Sequence, residues 1–147
     1  ARGHMVTGID RQIESAHAHV PSARVLCADI ENAPWPLVPQ GLPEAFDAVV
    51  VTNYLWRPLI PTIVHSVAPG GVLLYETFTS GQETIGRPAR ADFLLQAGEL
   101  LRYCEGLHVV AYENGFLDSP PRFVQRIAAV RPDGGTAAQP APIRYPL

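Results

Sequence analysis

Apolar positions along this chain come in short runs, several of them β-branched, separated by polar and Pro- or Gly-rich stretches. Met5 to Ile9 reads as a strand that delivers Asp10 at its C-terminal end. Gln12 to Ala18 has the pattern of a short helix, which Pro21 stops. Ala23 to Ala28 (ARVLCA) is a second apolar run, followed by Asp29. From Glu31 to Glu44 the chain carries Pro34, Pro36, Pro39 and Pro43, which exclude a regular element. Phe46 to Asn53 (FDAVVVTN) is almost continuously apolar, the signature of a strand buried on both faces of a parallel sheet.

The second half repeats the alternation. Trp56 to Val67 fits a helix with Leu59, Ile60, Ile63, Val64 and Val67 on one stripe, its start confined by Pro58 and Pro61. Pro69-Gly70-Gly71 reads as a turn, and Val72 to Phe78 (VLLYETF) as another buried strand. Thr79 to Asp92 is polar and reads as an excursion loop. Phe93 to Cys104 carries a helix with Leu100, Leu101 and Cys104 facing inward. Leu107 to Tyr112 and Phe123 to Val130 are strands. Residues 132–147 have the composition of a mobile tail, which leaves 1–131 as one domain.

Strands alternating with helices predict an α/β fold: a doubly wound, Rossmann-like, mostly parallel sheet. The ending departs from that pattern. Only a short link around Asn114 to Arg122 joins the last two strands, too little for a parallel crossover. The final strand is therefore predicted to run antiparallel to its neighbour.

Composition narrows the classes. The chain has 147 residues, 47% hydrophobic and 17% charged, as expected of one soluble globular domain. Its formal net charge of -3 argues against a nucleic-acid partner, which needs a basic face. No apolar run is long enough to cross a bilayer, so no membrane role is expected. Cys27 and Cys104 read as two small buried hydrophobes in a reduced, cytoplasmic protein. The histidines lack metal-ligand spacing: His17 and His19 point to different faces of a helix, and no metal site is expected. No GxSxG elbow or Cys/His pairing supports covalent hydrolase chemistry.

What remains is a set of strand ends. In an open α/β sheet, ligands bind beyond the carboxyl ends of the strands. Asp10 and Asp29 end two successive apolar runs and reach one rim. Asp10 is placed to accept hydrogen bonds from ribose hydroxyls, Asp29 from an exocyclic amine such as that of adenine, with Ile30 against the base. Asn53 and Tyr54 end the next strand, and Glu76 lies near the end of the one after. Each of these has a structural alternative. An Asp after a strand is a common turn or cap residue, and Trp35 and Trp56 read as packing. Tyr75 and Glu76 are candidate acid/base groups or strand-end packing. Arg87 and Arg90, in the loop from Glu83 to Arg90, are candidate anion holders or solvated surface charges.

The segments VTGID, VLCADIENAPWPL, FDAVVVTNYL and PGGVLLYETF, in this order, resemble the class I methyltransferases that use S-adenosylmethionine. The likeness is closest to small bacterial methyltransferases related to the tellurite-resistance group, where GRPARADFLLQAGELL is also familiar. It covers roughly residues 1–131. The resemblance implies S-adenosylmethionine as cofactor, with Asp10 on the ribose, Asp29 and Ile30 on the adenine, and Asn53 and Tyr54 near the methionine end. It assigns a catalytic role to no single residue, and a base is needed only if the acceptor carries a proton. The chain departs from the family in lacking the first strand and its glycine-rich turn. In the family that strand lies between the Met5–Ile9 and Phe46–Asn53 strands. Without it, both are expected to lack a ladder partner. Three closures are open: an upstream segment, a partner chain as in a homodimer, or direct pairing of the two strands.

The expected function is methyl transfer to a small-molecule acceptor. Two other readings stand beside it. One is a non-catalytic methyltransferase-like interaction module. The other is an NAD-type oxidoreductase, which predicts a parallel last strand reached through a helix.

Overall fold

The computed structural model describes residues 3–12 and 23–134, which divide into two compact units, Ala1–Glu44 and Ala45–Leu147. In the first, β1 (Thr7–Asp10) and β2 (Arg24–Cys27) pair in parallel, in register from Thr7↔Arg24 to Asp10↔Cys27. The Pro-rich stretch after β2 is loop, broken by one 3-10 turn at Val38–Gln40 next to the buried Leu37. Apart from Gln12, the helix expected over Gln12–Ala18 lies outside the described residues, as does the tail from 135 onward.

The second unit holds a four-stranded sheet. β3 (Phe46–Thr52) leads through a 3-10 turn at Arg57–Leu59 into α1 (Ile60–His65). β4 (Val67–Phe78) follows, then α2 (Glu99–Tyr103), β5 (His108–Asp118) and β6 (Pro121–Val130). The strand order is β3-β4-β6-β5. β3 and β4 are parallel, while β6 is antiparallel to both β4 and β5. β3, β4 and β5 therefore share one direction and the last strand alone opposes them, as the short β5–β6 link requires. The link expected over Asn114–Arg122 is shorter still, because β5 runs on to Asp118 and β6 starts at Pro121; the hairpin turns at Ser119–Pro120, which leaves no room for a crossover helix.

Elements shorten where tertiary contacts compete with helix. The helix expected over Trp56–Val67 shrinks to α1, with Pro58 and Pro61 in opening turns where their missing N–H groups cost little. The helix expected over Phe93–Cys104 shrinks to α2. Its first half is drawn to the sheet: Leu95 N–H donates to the Phe78 carbonyl at 3.0 Å, and Leu95 bridges to Thr79. Gly98, at φ 73, then resets the chain before α2 begins. Within α2, Leu100 and Cys104 face inward as expected, but Leu101 is 38% exposed. The turn expected at Pro69-Gly70-Gly71 lies inside β4 as a bulge, where the register jumps from Phe46↔Val67 to Ala48↔Val72.

One face of the sheet forms the core. Leu73, Tyr75 and Thr77 of β4 and Gln125, Ile127 and Ala129 of β6 are buried, with Ile60, Ile63 and Leu100 from the helices. On the other face Val50 is 64% exposed and Leu74 44%. The burial of β3 on both faces expected from its sequence is thus half realised: the described helices cover one side.

Candidate functional site at the strand ends

In the first unit, the parallel pairing of β1 and β2 brings Asp10 and Asp29 to the same end of the pair. Asp10 is the last residue of β1 and is exposed. Its Oδ1 accepts from the Gln12 backbone N–H at 2.7 Å, an Asx-type turn. Asp29 follows β2 and is half-buried. Its Oδ1 accepts from Glu31 N–H at 3.1 Å and its Oδ2 from Asn32 Nδ2 at 3.0 Å. The Asn32 side chain, then the Glu31 amide, hold its carboxyl below the usual range. The turn-residue reading is therefore realised in the geometry at both positions. A carboxylate has about four lone-pair sites, so each still has acceptor capacity. Ile30 is half-buried beside Asp29. Cys27, expected to be buried, is exposed, because β2 ends in loop; its Sγ lies 3.5 Å from the Arg11 carbonyl.

In the second unit, Asn53 follows β3 at φ 53, a left-handed conformation that Asn tolerates better than most residues. Its N–H donates to the Glu76 carbonyl at 3.0 Å. Tyr54 is half-buried, and its carbonyl accepts from the Tyr75 hydroxyl at 2.9 Å. That bond, with Tyr75 only 2% exposed, removes Tyr75 as an acid/base group. Burial, followed by the neighbouring Tyr54, pushes its hydroxyl well above the ordinary range.

Glu76 is clamped. Arg122 Nη1 lies 2.9 Å from its Oε1 and Arg126 Nε 2.5 Å from its Oε2. Arg126 also reaches Glu113 at 3.3 Å. Strand register explains the row, since Thr52, Glu76, Arg126 and Glu113 are successive partners across β3, β4, β6 and β5. The row edges an open cleft of about 300 Å³, floored by Val50, Leu74 and Ala128. Arg90 pairs with Asp92 at 2.7 Å and stacks over Phe93 at 5.1 Å, and Arg87 is exposed, so the solvated-charge reading fits both.

A second network lay beyond sequence reasoning. Arg57 Nε donates to Glu99 Oε1 at 2.6 Å, and its other nitrogens reach the carbonyls of Asp92 at 2.7 Å and Leu94 at 2.9 Å. Glu99 is 5% exposed and also accepts from Gln96 N–H at 2.7 Å. The only sequence signal was an acidic residue in the first turn of a helix, which has a local explanation. Among the described residues no group of three or more His, Cys, Asp or Glu is arranged to hold a metal ion, and no helix is long and apolar enough to cross a membrane.

No family profile matches the sequence, and no curated protein is similar to it in sequence. Solved structures do match. TehB from Haemophilus influenzae superposes with a TM-score of 0.61 at 18% identity, covering 88% of this chain. The N-methyltransferase NodS from Bradyrhizobium japonicum gives 0.64 at 20% identity over 88% of this chain and 74% of its own; it has also been solved with S-adenosyl-L-homocysteine. The fold is that of the class I S-adenosylmethionine-dependent methyltransferases. The tellurite-resistance likeness expected from sequence is represented by TehB, of which this chain spans 50% of the length. The cyclase SpnF also matches, with a TM-score of 0.56 at 16% identity. At these identities the likeness establishes the fold alone, and the methyltransferase fold also houses a cyclase.

Proposed function

We propose that this protein binds S-adenosylmethionine and takes part in methyl transfer to a small-molecule acceptor. The observation that carries the reading is the pair Asp10 and Asp29 at the same end of parallel β1 and β2, in a chain with the methyltransferase fold. The residues fit the cofactor: Asp10 is an exposed carboxylate at a strand tip with acceptor capacity to spare. In this reading Asp10 takes the ribose hydroxyls, Asp29 the adenine amine and Ile30 the face of the base. Asn53 and Tyr54 are assigned to the methionine end. When bound, the cofactor supplies a methyl group on a sulfonium, and the protein contributes alignment more than acid/base chemistry. Residues 1–131 form the methyltransferase-like domain in this proposal and 132–147 a tail. A bacterial cytoplasmic setting accords with the bacterial neighbours and the two free cysteines. The oxidoreductase alternative is disfavoured by β6, which is antiparallel and follows a two-residue turn.

Titration calorimetry with S-adenosylhomocysteine tests the proposal. Loss of a charge-assisted hydrogen bond costs about 1.5–3 kcal/mol, so Asp10→Ala is expected to weaken binding roughly 10- to 100-fold. Binding that Asp10→Ala and Asp29→Asn both leave unchanged overturns the assignment.

A further inference from the structure

β3, β4 and β5 share one direction, so the rim at Asn53 and Tyr54, past β3, continues past Phe78 of β4 to Asp118 of β5. Two features of the second unit stand on it. One is the tip of the β5–β6 hairpin. β4 pairs with β6 only as far as Phe78↔Val124, so Phe116↔Phe123 and the pairs beyond it run past the end of β4. The other is the loop from Ser80 to Asp92. It starts against the hairpin and ends at the turn after β3, where Arg57 holds the carbonyls of Asp92 and Leu94.

Hairpin and loop are fastened together around Phe123. Its carbonyl accepts from Thr79 N–H at 3.1 Å, and its N–H donates to Gln82 Oε1 at 2.9 Å. Gln82 is 5% exposed, and its Nε2 donates across the loop to the Arg87 carbonyl at 3.1 Å. One buried amide therefore fixes the backbone of Phe123 on one side and that of Arg87 on the other. Gly81, at φ 107, lies so close that a Cβ there would meet the Phe123 ring at 2.8 Å. On these supports sit two side chains that the fold leaves open. Phe116 rests on Phe123 with ring centroids 4.8 Å apart and is still 46% exposed. Arg87 is exposed and, among the described residues, forms no ion pair or side-chain hydrogen bond. The charges around it are committed. Glu83 accepts from the Gly81 N–H at 2.8 Å, and Arg57, Arg90, Arg122 and Arg126 each pair with a carboxylate.

We propose that this loop and hairpin tip form the acceptor site and take a small aromatic acid, its ring against Phe116 and its carboxylate on Arg87. The proposal rests on the methyl-transfer reading above and names the acceptor class for it. An open ring face beside a tilted aromatic pair favours a further ring over an aliphatic chain. A planar guanidinium with no partner in the fold matches a carboxylate through two parallel hydrogen bonds. Because the backbone under both side chains is already fixed, little ordering is left for binding to supply.

Saturation-transfer NMR on the full chain, with naphthoate and with neutral naphthamide as probes, tests this. Calorimetry with S-adenosylhomocysteine is run on the same samples. Naphthoate is expected to bind more tightly than naphthamide. Arg87→Gln removes that preference, an effect of about fivefold for an exposed ion pair. Phe116→Ala weakens both probes about three- to tenfold. Both side chains are exposed, so neither change opens the core; circular dichroism checks that the fold is retained. A parent chain that binds the two probes equally, or binds neither, overturns the proposal. So does probe binding that both variants leave unchanged. S-adenosylhomocysteine that binds while naphthoate ignores Arg87 and Phe116 removes this site alone. S-adenosylhomocysteine that fails to bind while naphthoate behaves as expected removes the methyl-transfer reading and leaves an aromatic-acid site.

Discussion

Arg57 spends its whole guanidinium on one neighbourhood, binding both carboxylate oxygens of Glu99 and the carbonyls of Asp92 and Leu94. It thereby ties the turn after β3 to the segment that opens α2. Burial alone would raise the Glu99 pKa, but the hydrogen bonds from Arg57 and the Gln96 amide more than offset it and leave it lowered. A carboxylate whose pKa falls on folding stabilises the protein fully above its unfolded value. That contribution is lost as pH drops through the folded value. Urea midpoints measured from neutral to acid pH are thus expected to fall below about pH 5 in the parent and to fall less steeply in Glu99→Gln. At neutral pH that variant should be about 2 kcal/mol less stable, a figure moderated because Arg57 is one-third exposed. Equal acid slopes for the two proteins would count against the pair. Neither residue stands out in the sequence, because their separation of 42 positions leaves no local pattern.

At the scale of elements, β4 shows how a backbone contact is hidden inside an apparently simple turn. The bulge at Ala68–Gly71 brings carbonyls so close that a Cβ on Gly71 would meet Ala68 O at 2.8 Å and Phe46 O at 2.9 Å. Backbone oxygens cannot swing aside as a side-chain tip can. Gly71→Ala is expected to cost at least about 2 kcal/mol in chemical denaturation, while Gly115→Ala, with nothing near its Cβ, stays within about 0.5 kcal/mol. Similar midpoints for both would mean that the bulge yields. The apolar runs located all six strands of the described residues, since a period-2 or continuous apolar pattern is a local property. The helices were over-read. Leu94 and Leu95 fit a helical stripe and a strand partner equally well, and only the Phe78 carbonyl decided between them.

Across the whole molecule, stability should be uneven. β4 and β6 each have strand partners on both sides, whereas β1 and β2 pair only with each other among the described residues. A two-stranded pair is marginal by itself. Hydrogen exchange is expected to show amides of β1 and β2 opening roughly 100-fold more readily than those of β4 and β6. Uniform protection would show instead that the two units open as one. The sequence by itself determined the succession of strands along the described chain, the acidic residues at the ends of β1 and β2, and the antiparallel last strand, because each follows from local periodicity or the length of a link. Tertiary structure alone decided that the described helices cover β3 on one face, that Tyr75 is locked to the Tyr54 carbonyl, and that Glu76 is held between two arginines. Those outcomes depend on which strands lie side by side and in what register, and residues from 21 to 50 positions apart meet only once the sheet has formed.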